Sequence, residues 1–381
     1  MATTLGNRRV QLTLVEKLRD MHWPLVALVV TLGLVGYGVL YSAGGGSHSP
    51  WAWKHGVRLL VGVAAMIVVA LLDIRLLFRW AYVGYGIIAG LLVAVDVMGQ
   101  IRKGAERWLD LGVVQLQPSE MMKIALVLAM ARYFHSAYLS EVKKPVFLVP
   151  PILMILVPVG LVLLQPDLGT AVMLGAAGTA ILFLAGVRLW KFALVGAAAG
   201  VALPIAWSRL HDYQKQRVYT FLDPENDPLG TGYHIIQSKI ALGSGGFWGK
   251  GYLQGTQAQL SFLPEKHTDF AFTALAEESG FVGAVLVLVL FLAILMLSIR
   301  IALSCQSHFG RILAMGICCN TSLYVLINVA MVTGLIPVVG IPLPLVSFGG
   351  TAMLTVLLGF GLLLNVDVNR HSAIPRFPAD L

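Results

Sequence analysis

The chain has 381 residues, 57% of them hydrophobic and only 12% charged, with a formal net charge of +8 and a mean hydropathy of +0.81. A soluble domain carries about 25% charged residues, so this composition excludes a soluble globular protein and predicts an integral membrane protein. Alternating β segments of about ten residues are absent, which argues against an outer-membrane barrel.

The N-terminal arm, residues 1–23, holds Arg8, Arg9, Lys17 and Arg19 ahead of the first apolar run. That run is long enough to span a bilayer and reads as a retained signal-anchor. Apolar runs separated by charged or Gly/Pro punctuation predict ten helices, near 24–43, 57–73, 78–98, 119–138, 146–164, 168–186, 190–208, 271–298, 310–334 and 346–366. The expected fold is an all-α polytopic membrane protein, a single domain over 1–381. Its large extracytoplasmic loop, 209–270, lies between the seventh and eighth helices. The basic arm, Arg75 and Arg79, Arg132 with Lys143 and Lys144, Arg188 and Lys191, Arg300 and Arg311, and Arg370 and Arg376 alternate consistently with ten spans. The positive-inside rule then puts both termini in the cytoplasm.

The opposite side nevertheless carries Lys54, Arg102, Lys103, Arg107, Arg209, Lys215, Arg217, Lys239, Lys250 and Lys266. Long loops translocate whatever their charge, which accounts for Lys215 or Lys250. It accounts less well for Arg102, Lys103 and Arg107 in a short loop. An anionic ligand at the outer face is the simplest reason for them.

Several motifs follow in chain order. Gly104 to Lys123, GAERWLDLGVVQLQPSEMMK, begins amphipathic and ends in a helix start. Pro118, Ser119 and Glu120 suit a first turn, and Glu120 and Lys123 are spaced to pair on one face. The pair is read both as a structural ion pair and as a charged cavity lining. QPDLGT, from Gln165 to Thr170, is a tight corner in which Asp167 caps the next helix. DPENDPLGTG is turn chemistry, and YHIIQSKIAL a short amphipathic helix along the membrane surface; Arg217 and Lys239 are candidate phosphate ligands. GSGGFWGKG fails the phosphate-loop template, with Ser244 and Gly251 at the wrong positions, and reads as flexible backbone making a close approach.

No spacing among His211, His234 and His267 suits zinc. GxxxG at Gly86–Gly90 and Gly196–Gly200 reads as helix packing, and Cys305, Cys318 and Cys319 as apolar packing residues. Ile336 to Thr351, IPVVGIPLPLVSFGGT, places three prolines and three glycines between two spans. Irregular backbone at membrane depth is tolerated where it lines a cavity or is buried in protein, so this reads as a re-entrant, site-lining turn. Phe262 to Ser279, FLPEKHTDFAFTALAEES, sets Glu265, Lys266, His267 and Asp269 at the entry to an apolar helix. A charge at mid-membrane costs ~2.5–3.5 kcal/mol by insertion scales. Asp269 is the first candidate for chemistry, in the first turn of a helix beginning near Thr268.

GAERWLDLG, QPSE, QPDLGT, GYHIIQSKIALGSGG, FLPEKHTDFAF, LAEESG and GIPLPLVSFGGT, in this order, closely resemble the SEDS family (shape, elongation, division and sporulation), its RodA branch more than FtsW. The resemblance implies a peptidoglycan glycosyltransferase of the bacterial cytoplasmic membrane. Such an enzyme polymerises lipid II into a glycan strand at the outer face, alongside a class B penicillin-binding protein. The family's essential aspartate matches Asp269; its helix-borne acid and lysine match Glu120 and Lys123, and further basic positions match Arg107 and Arg217. A basic position near the second span is met by Lys54 or Arg58.

Asp269 would then be general base for the acceptor GlcNAc 4-hydroxyl, with Glu265, Lys266 and His267 in support of it or of substrate and basic groups stabilising the undecaprenyl pyrophosphate. No cofactor and no resident metal are expected, although Mg²⁺ or Mn²⁺ could sit at the pyrophosphate through one or two carboxylates. No nucleic-acid partner is expected. Rival readings are a lipid II flippase, whose charges would line a path to both faces, and a non-catalytic scaffold for the penicillin-binding protein, which would not need Asp269.

Overall fold

The computed structural model describes residues 13–98, 100–102, 105–110, 115–209, 212–223, 231–260, 262, 263, 265–372, 374 and 375. A capping box opens it. The Thr13 hydroxyl accepts from the Glu16 amide at 3.3 Å while Glu16 takes the Thr13 amide at 2.7 Å, which starts α1 (Leu14–Asp20). Then come α2 (Trp23–Ala43), α3 (Ala52–Leu71), α4 (Ile74–Met98), β1 (Gln100–Arg102), β2 (Ala105–Asp110), β3 (Gln115–Leu116) and α5 (Pro118–His135). The chain continues through α6 (Leu139–Val142), α7 (Val149–Leu164), α8 (Leu168–Leu184) and α9 (Leu189–Arg209). Beyond these lie α10 (Asp212–Leu222), α11 (Thr231–Ser244), α12 (Thr256–Gln259), α13 (Ala271–Ser304), α14 (His308–Val332) and α15 (Gly350–Val368).

Each of the ten apolar runs is a helix. Among the described residues, seven helices are long and apolar enough to cross a membrane, while α8 and the first part of α9 are shorter apolar helices. The protein is therefore an all-α polytopic membrane protein with one small addition. Strands β1, β2 and β3 form an antiparallel meander in that order, pairing Arg102 with Ala105 and Leu109 with Leu116. Of the span helices, α15 and α14 are the most enclosed and α4 the least.

Local chemistry sets the helix ends. Pro118 sits at the start of α5, where its missing N–H costs nothing. Asp167 caps α8, accepting from the Thr170 amide at 3.2 Å, and Ser307 caps α14 through the Gly310 amide at 3.0 Å. Helix α14 ends in a Schellman motif: the Leu335 amide reaches back to Ala330 O at 2.8 Å and the Gly334 amide to Met331 O at 3.1 Å.

The basic residues of alternate turns collect at one end. Lys17 Nζ donates to Leu71 O at 2.8 Å, Arg132 to Arg79 O at 2.7 Å, Lys191 to Lys143 O at 3.0 Å and Arg311 to Cys305 O at 3.2 Å. Arg8, Arg9 and Arg376 lie outside the described residues.

Helix α13 is broken. An unbroken helix of its 34 residues would run about 50 Å at ~1.5 Å per residue, well beyond a ~30 Å hydrocarbon core. Gly280, at φ 67° and ψ −165°, divides it into residues 271–279 and a span over 281–304. The Gly245–Gly251 turn replaces the lost helical bonds. Lys250 and Gly251 amides donate to Glu277 O and Glu278 O at 3.1 and 3.0 Å, and Phe281 and Val282 amides to Gly246 O and Phe247 O at 2.9 and 3.2 Å. The close approach expected of GSGGFWGKG is real, and its target is this break.

Two expectations are corrected. A Cβ on Gly86, Gly90, Gly196 or Gly200 would meet nothing within 4 Å, so among the described residues none of these glycines is a close helix-packing point. The α13 helix opens at Ala271, with Phe270 at its N-cap and no side-chain cap. Asp269 therefore lies just ahead of the first turn. Residues 265–270 instead form turns of their own, in which the Thr268 and Phe270 amides donate to Glu265 O at 3.1 and 3.3 Å.

Candidate active site

Three segments meet at the end of the bundle opposite the basic collar: the start of α3, the 265–270 turn and the irregular stretch between α14 and α15. Asp269 stands where the last two touch. A Cβ on Gly340 would lie 3.5 Å from Asp269 Oδ2, so the carboxylate faces backbone of the 333–349 stretch. Two links tie the segments together. The Phe348 amide donates to His267 O at 2.7 Å, and Asn328 Nδ2, from α14, donates to Asp269 O at 3.0 Å and Ile341 O at 2.8 Å. A buried carbonyl left unpaired costs ~1–3 kcal/mol, and Asn328 satisfies two.

Aromatic and cationic groups close in beside them. Trp51, at the N-cap of α3, stacks on His267 with centroids 4.5 Å apart. The Arg58 guanidinium lies 4.8 Å from the Phe348 ring centroid and 3.1 Å from where a Cβ on Gly350 would be. It thus sits beside the first residue of α15, where free amides and the helix dipole favour negative charge. Thr268 Oγ1 donates to Glu265 Oε2 at 2.7 Å. Lys266 is buried, which pushes its ammonium pKa down.

The 333–349 stretch is seated by its neighbours. Leu343 N donates to Ser347 Oγ at 2.9 Å, and Gly36 of α2 has no side chain to obstruct the backbone of Leu345 and Val346, which a Cβ there would strike. Of the re-entrant, site-lining turn expected of IPVVGIPLPLVSFGGT, the irregular, buried backbone is present: Ile341, Leu343, Leu345, Val346 and Ser347 are all buried.

Deeper in the bundle, Glu120 and Lys123 pair as their spacing predicts. Lys123 Nζ lies 2.6 Å from Glu120 Oε1 and 2.6 Å from the Tyr324 hydroxyl, which in turn donates to Glu120 Oε2 at 2.5 Å. All three side chains are buried. The result is a closed triad in which each charge is neutralised, as burial in protein at membrane depth requires.

A family model described as "Cell cycle protein", covering FtsW, RodA and SpoVE, matches residues 19–372. The chain belongs to this FtsW/RodA/SpoVE family. It is 46% identical over 356 residues to "Peptidoglycan glycosyltransferase MrdB" of Escherichia coli K12, spanning 92% of this chain and 95% of that protein. It is 37% identical to "Stage V sporulation protein E" of Bacillus subtilis, over 81% of this chain and 84% of the other. The rod-shape-determining protein RodA of Thermus thermophilus superposes with a TM-score of 0.70 at 30% identity, covering 93% of this chain and 98% of that one. A chain of a peptidoglycan synthase complex, described as coordinating polymerization and crosslinking, gives a TM-score of 0.81 at 33% identity over 93% and 99%.

Against this FtsW/RodA/SpoVE fold the predicted site residues separate. Asp269, Glu265 and His267 share the 265–270 turn. Of the two basic alternatives on α3, Arg58 reaches this cluster, whereas Lys54 is exposed in the first turn. Lys239 packs its ammonium end against Gly334, 2.8 Å from where a Cβ would lie. A cation there complements the C-terminus of α14, so Lys239 already has a helix-capping environment. Its helix α11 is no loose surface helix: Ser238 Oγ bonds Val332 O at 2.7 Å and Thr273 Oγ1 at 2.9 Å. Arg107 lies on β2 and Arg217 on α10, and both side chains are outside the described residues, as are His211 and 224–230 of the DPENDPLGTG turn.

Sequence reasoning missed a second charged group. Glu277, fully buried, takes Lys250 Nζ at 2.6 Å, Thr256 Oγ1 at 3.1 Å and the Gln257 amide at 3.0 Å on one oxygen. Glu278 accepts from Ser42 Oγ of α2, while Gln259 Nε2 donates to Ser42 O at 2.8 Å. Two adjacent acids inside an apolar helix were the available signal.

Proposed function

We propose that this protein, a peptidoglycan glycosyltransferase of the bacterial inner membrane, polymerises lipid II into glycan strands during cell elongation with Asp269 as its general base. The observation that carries the reading is the placement of the Asp269 carboxylate beside Gly340 and near the Arg58–Phe348–His267 group. Asp269 takes the proton of the acceptor GlcNAc 4-hydroxyl, whose oxygen bonds to the donor's anomeric carbon as the bond to the pyrophosphate breaks. The pyrophosphate leaves with the electron pair, and Arg58 with the free amides at the start of α15 supplies positive potential for it.

Glu265 and His267 support Asp269 through the turn they share. Arg107, Arg217, Lys54 and Lys239 are proposed as outer contacts to the lipid-linked phosphates, and Glu120 and Lys123 as the floor beneath the site. Among the described residues no three His, Cys, Asp or Glu side chains gather to hold a metal ion. A Mg²⁺ or Mn²⁺ ion at the pyrophosphate would accordingly take most of its ligands from substrate oxygens.

Both termini are proposed to be cytoplasmic, which puts this site at the outer face. The gathering of basic residues at the opposite end supports that orientation. The partner is a class B penicillin-binding protein, which cross-links the strand. The test gives labelled lipid II to the purified protein with that partner, beside an Asp269→Ala variant. Polymer from the parent protein alone is expected. Equal polymer from both removes Asp269 from the chemistry, and lipid transfer across the membrane without polymer makes the protein a flippase.

A further inference from the structure

We infer that Asn328 is a positioning residue for glycosyl transfer, fixing the main chain of Asp269 against the 333–349 stretch. Asn328 is fully buried in α14, and its amide nitrogen uses one N–H on Asp269 O and the other on Ile341 O. Both acceptors are close to the carboxylate in the chain or in space: one is the carbonyl of Asp269 itself, the other belongs to the residue after Gly340, beside which Oδ2 lies. Neither carbonyl belongs to a helix, so nothing in regular secondary structure would hold it. The amide orientation is dictated, because the reverse would set its oxygen against two carbonyl oxygens. Asn328 Oδ1 is left buried without a hydrogen-bond partner, so the side chain is placed for its two donors.

The bland alternative is a packing device. Asn365 performs one at the opposite end of the bundle, donating to the carbonyls of Val69, Ala70 and Leu72 at 3.0, 3.2 and 2.7 Å. Asn328 differs in what it grips. One acceptor is the main-chain carbonyl of the residue proposed as base, and one helical turn away on the same face Tyr324 joins the Glu120–Lys123 pair. Asn328 thus transmits the position of a braced helix face to Asp269. A misplacement of about 1 Å at a reacting group can lower a rate on the order of 10²-fold.

The inference rests on Asp269 being the base, and the experiment separates the two. Asn328→Ala and Asn328→Leu, the second keeping the volume while losing both donors, are assayed with labelled lipid II and the penicillin-binding partner. Hydrogen exchange is followed in peptides over 265–270 and 338–343. The expected result is a kcat reduced on the order of 10²-fold with KM within about threefold, and faster exchange in both peptides but not in α5. A folded variant with kcat within about threefold of the parent, or a loss confined to KM with exchange unchanged, overturns the inference. So does failure of both variants to fold, since Asn328 would then specify the fold. Asp269→Ala, run beside them, reports on the base separately: if it is inactive while Asn328 variants turn over normally, only the inference about Asn328 falls. If Asp269→Ala is fully active, the base assignment itself falls.

Discussion

Trp51 stacks on His267 with ring centroids 4.5 Å apart and planes only 16° from parallel. The two residues lie far apart in the chain, and the stack ties the start of α3 to the turn that carries Asp269. Such a pair is worth ~0.5–1.5 kcal/mol beyond the area it buries. Trp51→Ala is therefore expected to slow polymerisation by about tenfold, while Trp51→Phe keeps most of the rate. Initial rates on labelled lipid II test this, and a parental rate from Trp51→Ala would show that the turn is held without the stack.

The Glu120–Lys123–Tyr324 triad predicts a particular pattern of non-additivity. Removing one member of a buried ion pair costs ~3–5 kcal/mol, whereas replacing both charges is often neutral. Glu120→Gln with Lys123→Met should consequently be more thermostable in detergent than Lys123→Met alone. Activity then decides between the two readings of the pair. Recovery of polymerisation in the double variant assigns the triad to structure, and recovery of stability alone assigns Glu120 or Lys123 to substrate.

Lys250 and Glu277 make an unequal pair. The Glu277 side chain is fully buried and that of Lys250 is 26% exposed. Lys250→Met leaves a buried carboxylate without its cation, whereas Glu277→Gln leaves an ammonium with access to water and an amide oxygen that still accepts from Gln257 and Thr256. The expected loss is ~2–4 kcal/mol for Lys250→Met and about 1 kcal/mol for Glu277→Gln. Thermal unfolding of the two variants in one detergent measures the order, and the reverse order would discount the buried-charge argument.

Gly280 tolerates no side chain. Its backbone lies at φ 67° and ψ −165°, a region essentially confined to glycine, and a Cβ would collide with the backbone of Phe247, Trp248 and Gly249. Gly280→Ala is expected to destabilise by at least ~2 kcal/mol, read as a lower melting temperature and a smaller yield of monodisperse protein. Gly243→Ala is the control, because a Cβ there meets nothing within 4 Å.

Much of this was legible in the sequence because hydropathy alone dictates where a chain crosses a bilayer. Ten apolar runs became helices, and Pro118, Asp167 and the Glu120–Lys123 spacing fixed local geometry as short-range chemistry should. Most of the failures are long-range. Gly280 looks like any glycine within an apolar helix until the 245–251 turn arrives to replace its hydrogen bonds. Lys54 and Arg58 are equivalent basic residues one turn apart, and only packing against Phe348 distinguishes them. Asn328 is a single amide in an apolar run, and its importance depends on two carbonyls brought to it from 59 and 13 residues away. The meander at 100–116 escaped because its strands are too short to show a period.

The irregular crossing between α14 and α15 also constrains the order of assembly. Its backbone is held by Asn328 from the helix before it, by the smooth face of α2 at Gly36, and by Phe348 pairing with the 265–270 turn. Beyond the Leu343–Ser347 bond within it, these supports come from helices far apart in the chain, so the crossing is seated only once they have come together. A chain that ended before α14 and the stretch after it would hold the 265–270 turn without the Asn328 and Phe348 bonds that seat it.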